Sequence, residues 1–149
     1  IRVVSRMTSV FSLAPGSLGP ALALDLVESG EITRVSNEVV KPFYDEKAKR
    51  AVAQLRKEVG SHVKMRIHKP EGALFLWLWF EGLPISNQEL YQRLKQKGVL
   101  VVSGHYFFPG MEKDNWSHKN QCIRITYAQD DGVVKQGISV IAQEIQTLF

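Results

Sequence analysis

Gln121-Cys122-Ile123-Arg124-Ile125-Thr126-Tyr127 is the stretch on which the reading of this chain turns. β-Branched and aromatic residues recur at alternate positions, the pattern of a strand. Ile123, Ile125 and Tyr127 then fall on one face, and Cys122, Arg124 and Thr126 on the other. Arg124 is the unusual residue, because it sits mid-strand between two isoleucines with no acid in the strand to pair with. Two readings stand open. Arg124 is a surface arginine on the wet side of a half-buried sheet, or its planar fork is held for an anion such as a carboxylate or phosphate.

Upstream of this strand, residues 103–120 read as a long loop rich in glycine and aromatic residues, the kind of segment that often carries function. Its start, Ser103-Gly104-His105-Tyr106-Phe107-Phe108-Pro109-Gly110, combines a glycine that permits close backbone approach with an aromatic wall. A glycine turn, an aromatic wall and a strand arginine together suit a pocket for a small carboxylate. Gly104, Tyr106, Phe107 and Arg124 are therefore the candidate substrate-binding residues, with Trp116 a further candidate for the pocket wall.

The flanking elements follow from local pattern. Residues 99–102 form a strand ahead of the loop. Ser86, with Glu89 three residues on, signals a capped helix with Leu90 and Leu94 inward and Gly98 as its stop. Residues 73–80, Ala-Leu-Phe-Leu-Trp-Leu-Trp-Phe, are the most apolar run and read as a central strand covered on both faces. Residues 63–68 form a further short strand. Asp130 or Asp131 starts a last amphipathic helix with Val134, Ile138, Ile141, Ile145 and Leu148 inward.

The first third is helical. Residues 1–7 read as the end of a helix, and residues 11–20, with two prolines and two glycines, as a loop. Pro20 then opens a helix that Gly30 stops. A long helix over residues 33–59 carries Val35, Val39, Phe43, Val52, Leu55 and Val59 as its apolar stripe. Asp45–Lys49 and Glu46–Arg50 are its i,i+4 pairs, and Pro42 is expected to kink it or split it in two. The expected architecture is an α/β (α+β) fold: a sheet of about four strands with packed helices, preceded by a helical lead-in. The expected divisions are residues 1–32, the interdomain helix 33–60, and a C-terminal domain 61–149. The start at Ile1, with no methionine, reads as a C-terminal piece of a larger protein.

Composition narrows the function. The chain has 149 residues, 44% hydrophobic and 23% charged, with a net charge of +4. The pI near 9.3 permits an anionic partner without demanding one. A lone Cys122 rules out an internal disulfide and fits a reducing compartment such as the cytoplasm. No stretch is long and apolar enough to span a membrane. His62, His68, His105 and His118 lack metal-ligand spacing, so no metal site is expected. Walker, Gly-x-Ser-x-Gly and dinucleotide-binding glycine motifs are absent from the sequence. Cys122 reads as a small buried residue. The 11–20 loop ahead of a helix either offers backbone N–H groups to an anion or is a rigid turn.

On the residues 98–107 (Gly-Val-Leu-Val-Val-Ser-Gly-His-Tyr-Phe) and 122–127, the chain resembles the C-terminal domain of class I/II aminotransferases. These are fold-type-I enzymes dependent on pyridoxal 5'-phosphate. Residues 12–16 (Ser-Leu-Ala-Pro-Gly), 41–44 (Lys-Pro-Phe-Tyr), 68–72 (His-Lys-Pro-Glu-Gly) and the 104–110 loop are similar to the valine–pyruvate branch of that family. The likeness extends over essentially the whole chain. It implies transamination between an amino acid and a keto acid by a two-lobed cytoplasmic homodimer. It further implies that Arg124 grips the substrate carboxylate and that the loop with Ser12 and Gly16 lies near the cofactor of the dimer partner. The lead-in would end the large domain, the kinked helix would link the lobes, and the remainder would be the small domain. The family's Schiff-base lysine precedes the matched region, so the resemblance places no catalytic residue here and implies an inactive isolated segment. Ser103 departs from a proline common in the wider family, which leaves the shape of that turn open. The alternative reading is a stand-alone basic α/β module binding RNA or small carboxylates. An RNA-recognition strand motif is missing, and the resemblance implies no nucleic-acid partner.

Overall fold

A computed structural model of the chain describes residues 16–72 and 74–149. The expected helix end at residues 1–7, and Ser12, lie outside the described residues. Two compact units divide the chain, the first reaching to Lys41 and the second running from Pro42 to Phe149.

In the first unit, helix α1 spans Leu18–Glu28, helix α2 spans Glu31–Val35 and a π-helical turn spans Ser36–Val40. Helix α1 begins at Leu18, within the 11–20 stretch expected to be a loop, whose residues 11–15 lie outside the described residues. Pro20 sits in the first turn, where its missing N–H costs no hydrogen bond. Gly30 stops α1 in the left-handed conformation, with φ of 74°.

The second unit opens with helix α3, Lys41–Val59. A π-turn directly precedes Pro42, in which the Lys41 N–H reaches back to the Ser36 carbonyl. An i→i+5 turn absorbs the proline, and it also breaks the phase of a constant 3.6-residue stripe. The buried face of α3 is Ala48, Ala51, Leu55 and Val59, while Val39 and Phe43 are exposed. Asp45 pairs with Lys49 as expected, at 2.8 Å. Arg50 instead reaches Asp131 at 2.9 Å, a partner distant in sequence.

Strands β1 (Met65–Ile67), β2 (Phe75–Phe80), β3 (Val102–Ser103) and β4 (Cys122–Thr126) form the sheet. Its order is β1-β2-β4-β3 and every neighbouring pair is antiparallel. Helix α4 (Asn87–Gln96) separates β2 from β3, and α5 (Asp131–Gln146) follows β4. Ser86 caps α4 by accepting from the Glu89 N–H. The Glu89 carboxylate turns to Arg93 at 2.6 Å, so only half of a capping box forms. Asp130 caps α5 through the Gly132 N–H.

One face of the sheet is the core. Leu76, Leu78, Phe80, Ile123, Ile125 and Tyr127 pack with Leu55 and Val59 of α3, Leu90 and Leu94 of α4, and Ile138, Ile141 and Ile145 of α5. The alternation predicted for β4 holds, with Ile123, Ile125 and Tyr127 all inward. For β2 the expectation of cover on both faces is only half met. Leu76, Leu78 and Phe80 are fully buried, but Phe75 is 41% exposed. The run is continuously apolar because its second face meets an aromatic loop rather than a second layer of helices. Strand β3 is shorter than the 99–102 strand predicted and begins later. Leu100 there is 73% exposed and outside the ladder.

Candidate functional site

Register decides what shares the second face. Trp77 lies opposite Arg124, Trp79 opposite Cys122 and Phe75 opposite Thr126, while Val102 flanks Arg124 from the other side. Cross-strand neighbours on one face have Cβ atoms about 5 Å apart, so these side chains meet. The Arg124 guanidinium carbon stands 4.1 Å from the Phe75 ring centre and 4.9 Å from that of Phe107. Phe107 in turn meets Trp77 edge-on at 5.1 Å. Ring faces hold a guanidinium without neutralising it, which orients the fork and leaves its N–H groups free for an anion.

Among the described residues no carboxylate forms an ion pair with Arg124. The guanidinium borders a cleft of about 310 Å³ whose walls include His68, Lys69, Glu71, Phe75 and Trp77. Glu71, the acid of that cleft, is taken up by Lys69 at 2.5 Å. The two charges cancel locally, and Arg124 remains as the uncompensated cation. A roomier groove, about 330 Å³ between residues 97–101 and α5, is mainly apolar. Its Lys97 is already paired with Glu144, so it lacks a free cation for an anionic ligand.

The loop that carries Phe107 is held by buried polar contacts. Gly104 to Phe107 form one 3-10 turn, and Ser117 to Asn120 another. Gly104 lies so close to β4 that a Cβ there would stand 2.7 Å from both the Cβ and the carbonyl oxygen of Cys122. Asn87, 1% exposed, donates to the carbonyls of Lys119 and Cys122 at 2.8 and 3.1 Å. Lys119 is also buried, and its ammonium donates to the carbonyls of Met111, Glu112 and Asp114. That ammonium takes the place of a loop's missing backbone ladder, satisfying three carbonyls at once.

The predicted site residues are thus only partly assembled. Arg124 and Phe107 meet, and Gly104 fixes the turn between them. Gly104 is required by the Cys122 backbone, which is where its close approach lies. Tyr106 turns to the other side of the 3-10 turn, 68% exposed and against His105 at 4.1 Å. It borders a separate hollow with Ser86, Pro109 and Glu112, and no contact brings it to Arg124. Trp116 packs on Phe108 and His118. Gly16 is described but has nothing within 4 Å of a would-be Cβ, and Ser12 lies outside the described residues. Cys122 is buried as expected, and burial pushes its thiol up to about 11. Burial also lowers His118, whose ring lies 3.5 Å from that sulfur. Among the described residues no cluster of His, Cys, Asp or Glu could hold a metal ion. The sequence reading missed Asn87 and Lys119. Both are polar residues on stretches that read as solvated, and only the fold shows that they are buried.

The fold, a four-stranded antiparallel sheet with packed helices, matches the C-terminal part of an aminotransferase. Valine–pyruvate aminotransferases are among the proteins the chain is similar to. The Escherichia coli (strain K12) protein of that name is 42% identical over 146 residues, 98% of this chain and 34% of its own length. The crystal structure of the Salmonella typhimurium LT2 valine-pyruvate aminotransferase superposes with a TM-score of 0.86 at 43% identity, over 97% of this chain and 37% of that one. LysN, the α-aminoadipate aminotransferase of Thermus thermophilus, solved with N-(5'-phosphopyridoxyl)-L-leucine, gives 0.74 at 26% identity, over 96% and 34%. The chain therefore spans about a third of the length of these relatives. No family model matches it.

Proposed function

We propose that the whole protein is a pyridoxal 5'-phosphate-dependent aminotransferase of the valine–pyruvate type, and that Arg124 is its anchor for the substrate carboxylate. The observation that carries this reading is the unpaired Arg124 guanidinium, held between Phe75 and Phe107 at the edge of a cleft of about 310 Å³. A carboxylate takes two parallel hydrogen bonds from such a fork, which fixes the rest of the substrate relative to the sheet. Phe75, Trp77 and Phe107 make the surroundings aromatic, suited to an apolar side chain such as that of valine.

Among the described residues no complete cofactor seat is formed. The space around Gly16 is open. The two buried lysines are both committed: Lys47 to the Gln129 carbonyl at 2.6 Å and Asp131 at 2.9 Å, Lys119 to its three loop carbonyls. A reactive amine and a phosphate cradle are accordingly assigned to parts of the whole protein outside the described residues. The exposed apolar residues of α1 (Leu18, Leu22, Leu24, Leu26 and Val27) support this, since such a surface is normally covered. In the same reading the whole protein is a cytoplasmic homodimer with Ser12 and Gly16 beside the cofactor. Among the described residues no helix is long and apolar enough to cross a membrane.

The test is Arg124→Ala in the whole enzyme. Removing a charge-assisted carboxylate anchor costs about 2–4 kcal/mol, so kcat/KM falls about 10²-fold for the amino acid and for the keto acid alike. Arg124→Lys keeps the charge but not the fork and recovers part of the loss. Unchanged kinetics in Arg124→Ala would remove this residue from the site and with it the assignment of the cleft.

A further inference from the structure

The Arg124 site depends on a ring that its own strand does not supply. Phe107 belongs to the 3-10 turn Gly104–Phe107, and its place over Arg124 is set by whatever holds that turn. Three contacts do so, and all involve α4 or β4. Ser103 Oγ donates to the Asn87 carbonyl at 3.1 Å. Gly104 rests directly on Cys122. His105 Nδ1 lies 2.9 Å from Asn87 Oδ1.

The last of these has a defined polarity. The Asn87 amide nitrogen faces two carbonyls, those of Lys119 and Cys122, and a carbonyl can only accept. The amide orientation is therefore fixed, and Oδ1 is the acceptor presented to His105. His105 must donate from Nδ1. A buried asparagine thus joins the start of α4 to β4, to the second 3-10 turn and to the turn that carries Phe107.

We infer that Asn87 and His105 are positioning residues for the Arg124 site: their hydrogen bond pins the turn so that the Phe107 ring holds the guanidinium, and through it the substrate carboxylate. This rests on Arg124 being the carboxylate anchor. It does not require either residue to touch substrate. The turn is a single hydrogen-bonded loop, with the Phe108 N–H bonded to the His105 carbonyl at 3.2 Å. Freeing its His105 end lets Phe107 move relative to the sheet, and a misplacement of about 1 Å near a reacting centre is costly.

The experiment uses His105, which is less buried than Asn87, in the full-length protein. The readout is the inhibition constant of isovalerate, a valine-shaped carboxylate with no amino group. Asparagine carries an N–H donor at the δ position of the histidine it replaces, whereas glutamine carries its donor one bond further out. The inference expects His105→Ala and His105→Gln each to weaken isovalerate on the order of tenfold, within the coupling range of residues that share a network. His105→Asn restores most of the loss. In an Arg124→Ala background the further effect of His105→Ala disappears, because there is no guanidinium left to position. Equal losses in both backgrounds, or an unchanged constant in a folded His105→Ala protein, would overturn the inference. The proposed function fails separately, if Arg124→Ala alone leaves isovalerate binding intact.

Discussion

Gly104→Ala is the substitution whose cost the structure specifies best. The backbone of Gly104 is not in the left-handed region, so alanine meets no torsional penalty there, and the cost is purely steric. The new methyl would lie 2.7 Å from the Cys122 Cβ and 2.7 Å from its carbonyl oxygen. Non-bonded carbon atoms are comfortable at about 3.5–4.0 Å, so roughly 1 Å of movement is required. Cys122 belongs to β4, which is hydrogen-bonded to strands on both sides, and it cannot yield. The Gly104 turn must move instead, and Phe107 moves with it. Overpacking of this kind costs about 1–3 kcal/mol, with the upper end expected because both opposing atoms are anchored. The same displacement should lower kcat/KM about tenfold to hundredfold. Melting temperature and steady-state kinetics of the full-length variant are the measurements. Gly137→Ala is the control: it lies inside α5 with nothing within 4 Å, and alanine there should add about 0.5–1 kcal/mol of stability. If Gly104→Ala matched the parent in both stability and kinetics, the argument that Cys122 sets the turn would be wrong.

Two further outcomes are expected. Glu144 is buried between Lys97 at 2.5 Å and Arg93 at 3.5 Å, and the Lys97 hydrogen bond holds its carboxyl below the ordinary 4.5. A depressed carboxyl contributes stability above its unfolded pKa, and that stability is lost as pH falls through the folded value. Glu144→Gln should therefore cost about 1–2 kcal/mol at pH 7, less than a fully buried pair because both cations are half in water, and the difference should shrink below about pH 4.5 in denaturant titrations. Cys122 should resist alkylation: a thiol raised from 9.0 to about 11 carries about a hundredfold less thiolate at pH 8, and burial slows it further. Labelling of native Cys122 by iodoacetamide as fast as a free thiol would contradict its placement under the aromatic loop.

Local pattern made much of the fold legible. The alternation around Arg124, the Ser86 and Asp130 caps, the Gly30 stop and the Leu90–Leu94 stripe are all decided within a few residues, and each is present in the structure. The family resemblance carried by residues 98–127 likewise needed no coordinates. What failed was any reading that assumed a constant period or equated polarity with exposure. A π-turn interrupts the long helix before Pro42, and the buried stripe of that helix is Ala48, Ala51, Leu55 and Val59, with Val39 and Phe43 exposed. The second face of β2 is apolar because a loop with no repeating pattern folds onto it.

For the site, the sequence by itself determined that an arginine would stand mid-strand with no acid in its own strand, and that glycine and aromatic residues would precede it. Only tertiary structure decided which of those residues meet. Strand pairing set Trp77 opposite Arg124, and a 3-10 turn sent Phe107 toward the guanidinium and Tyr106 away. Consecutive residues of a tight turn point in different directions, so proximity in sequence could not distinguish them. Asn87 and Lys119 show the same limit. Their hydrogen bonds reach carbonyls that are near only after the chain has closed on itself, and a buried polar side chain is stable only where such partners are supplied.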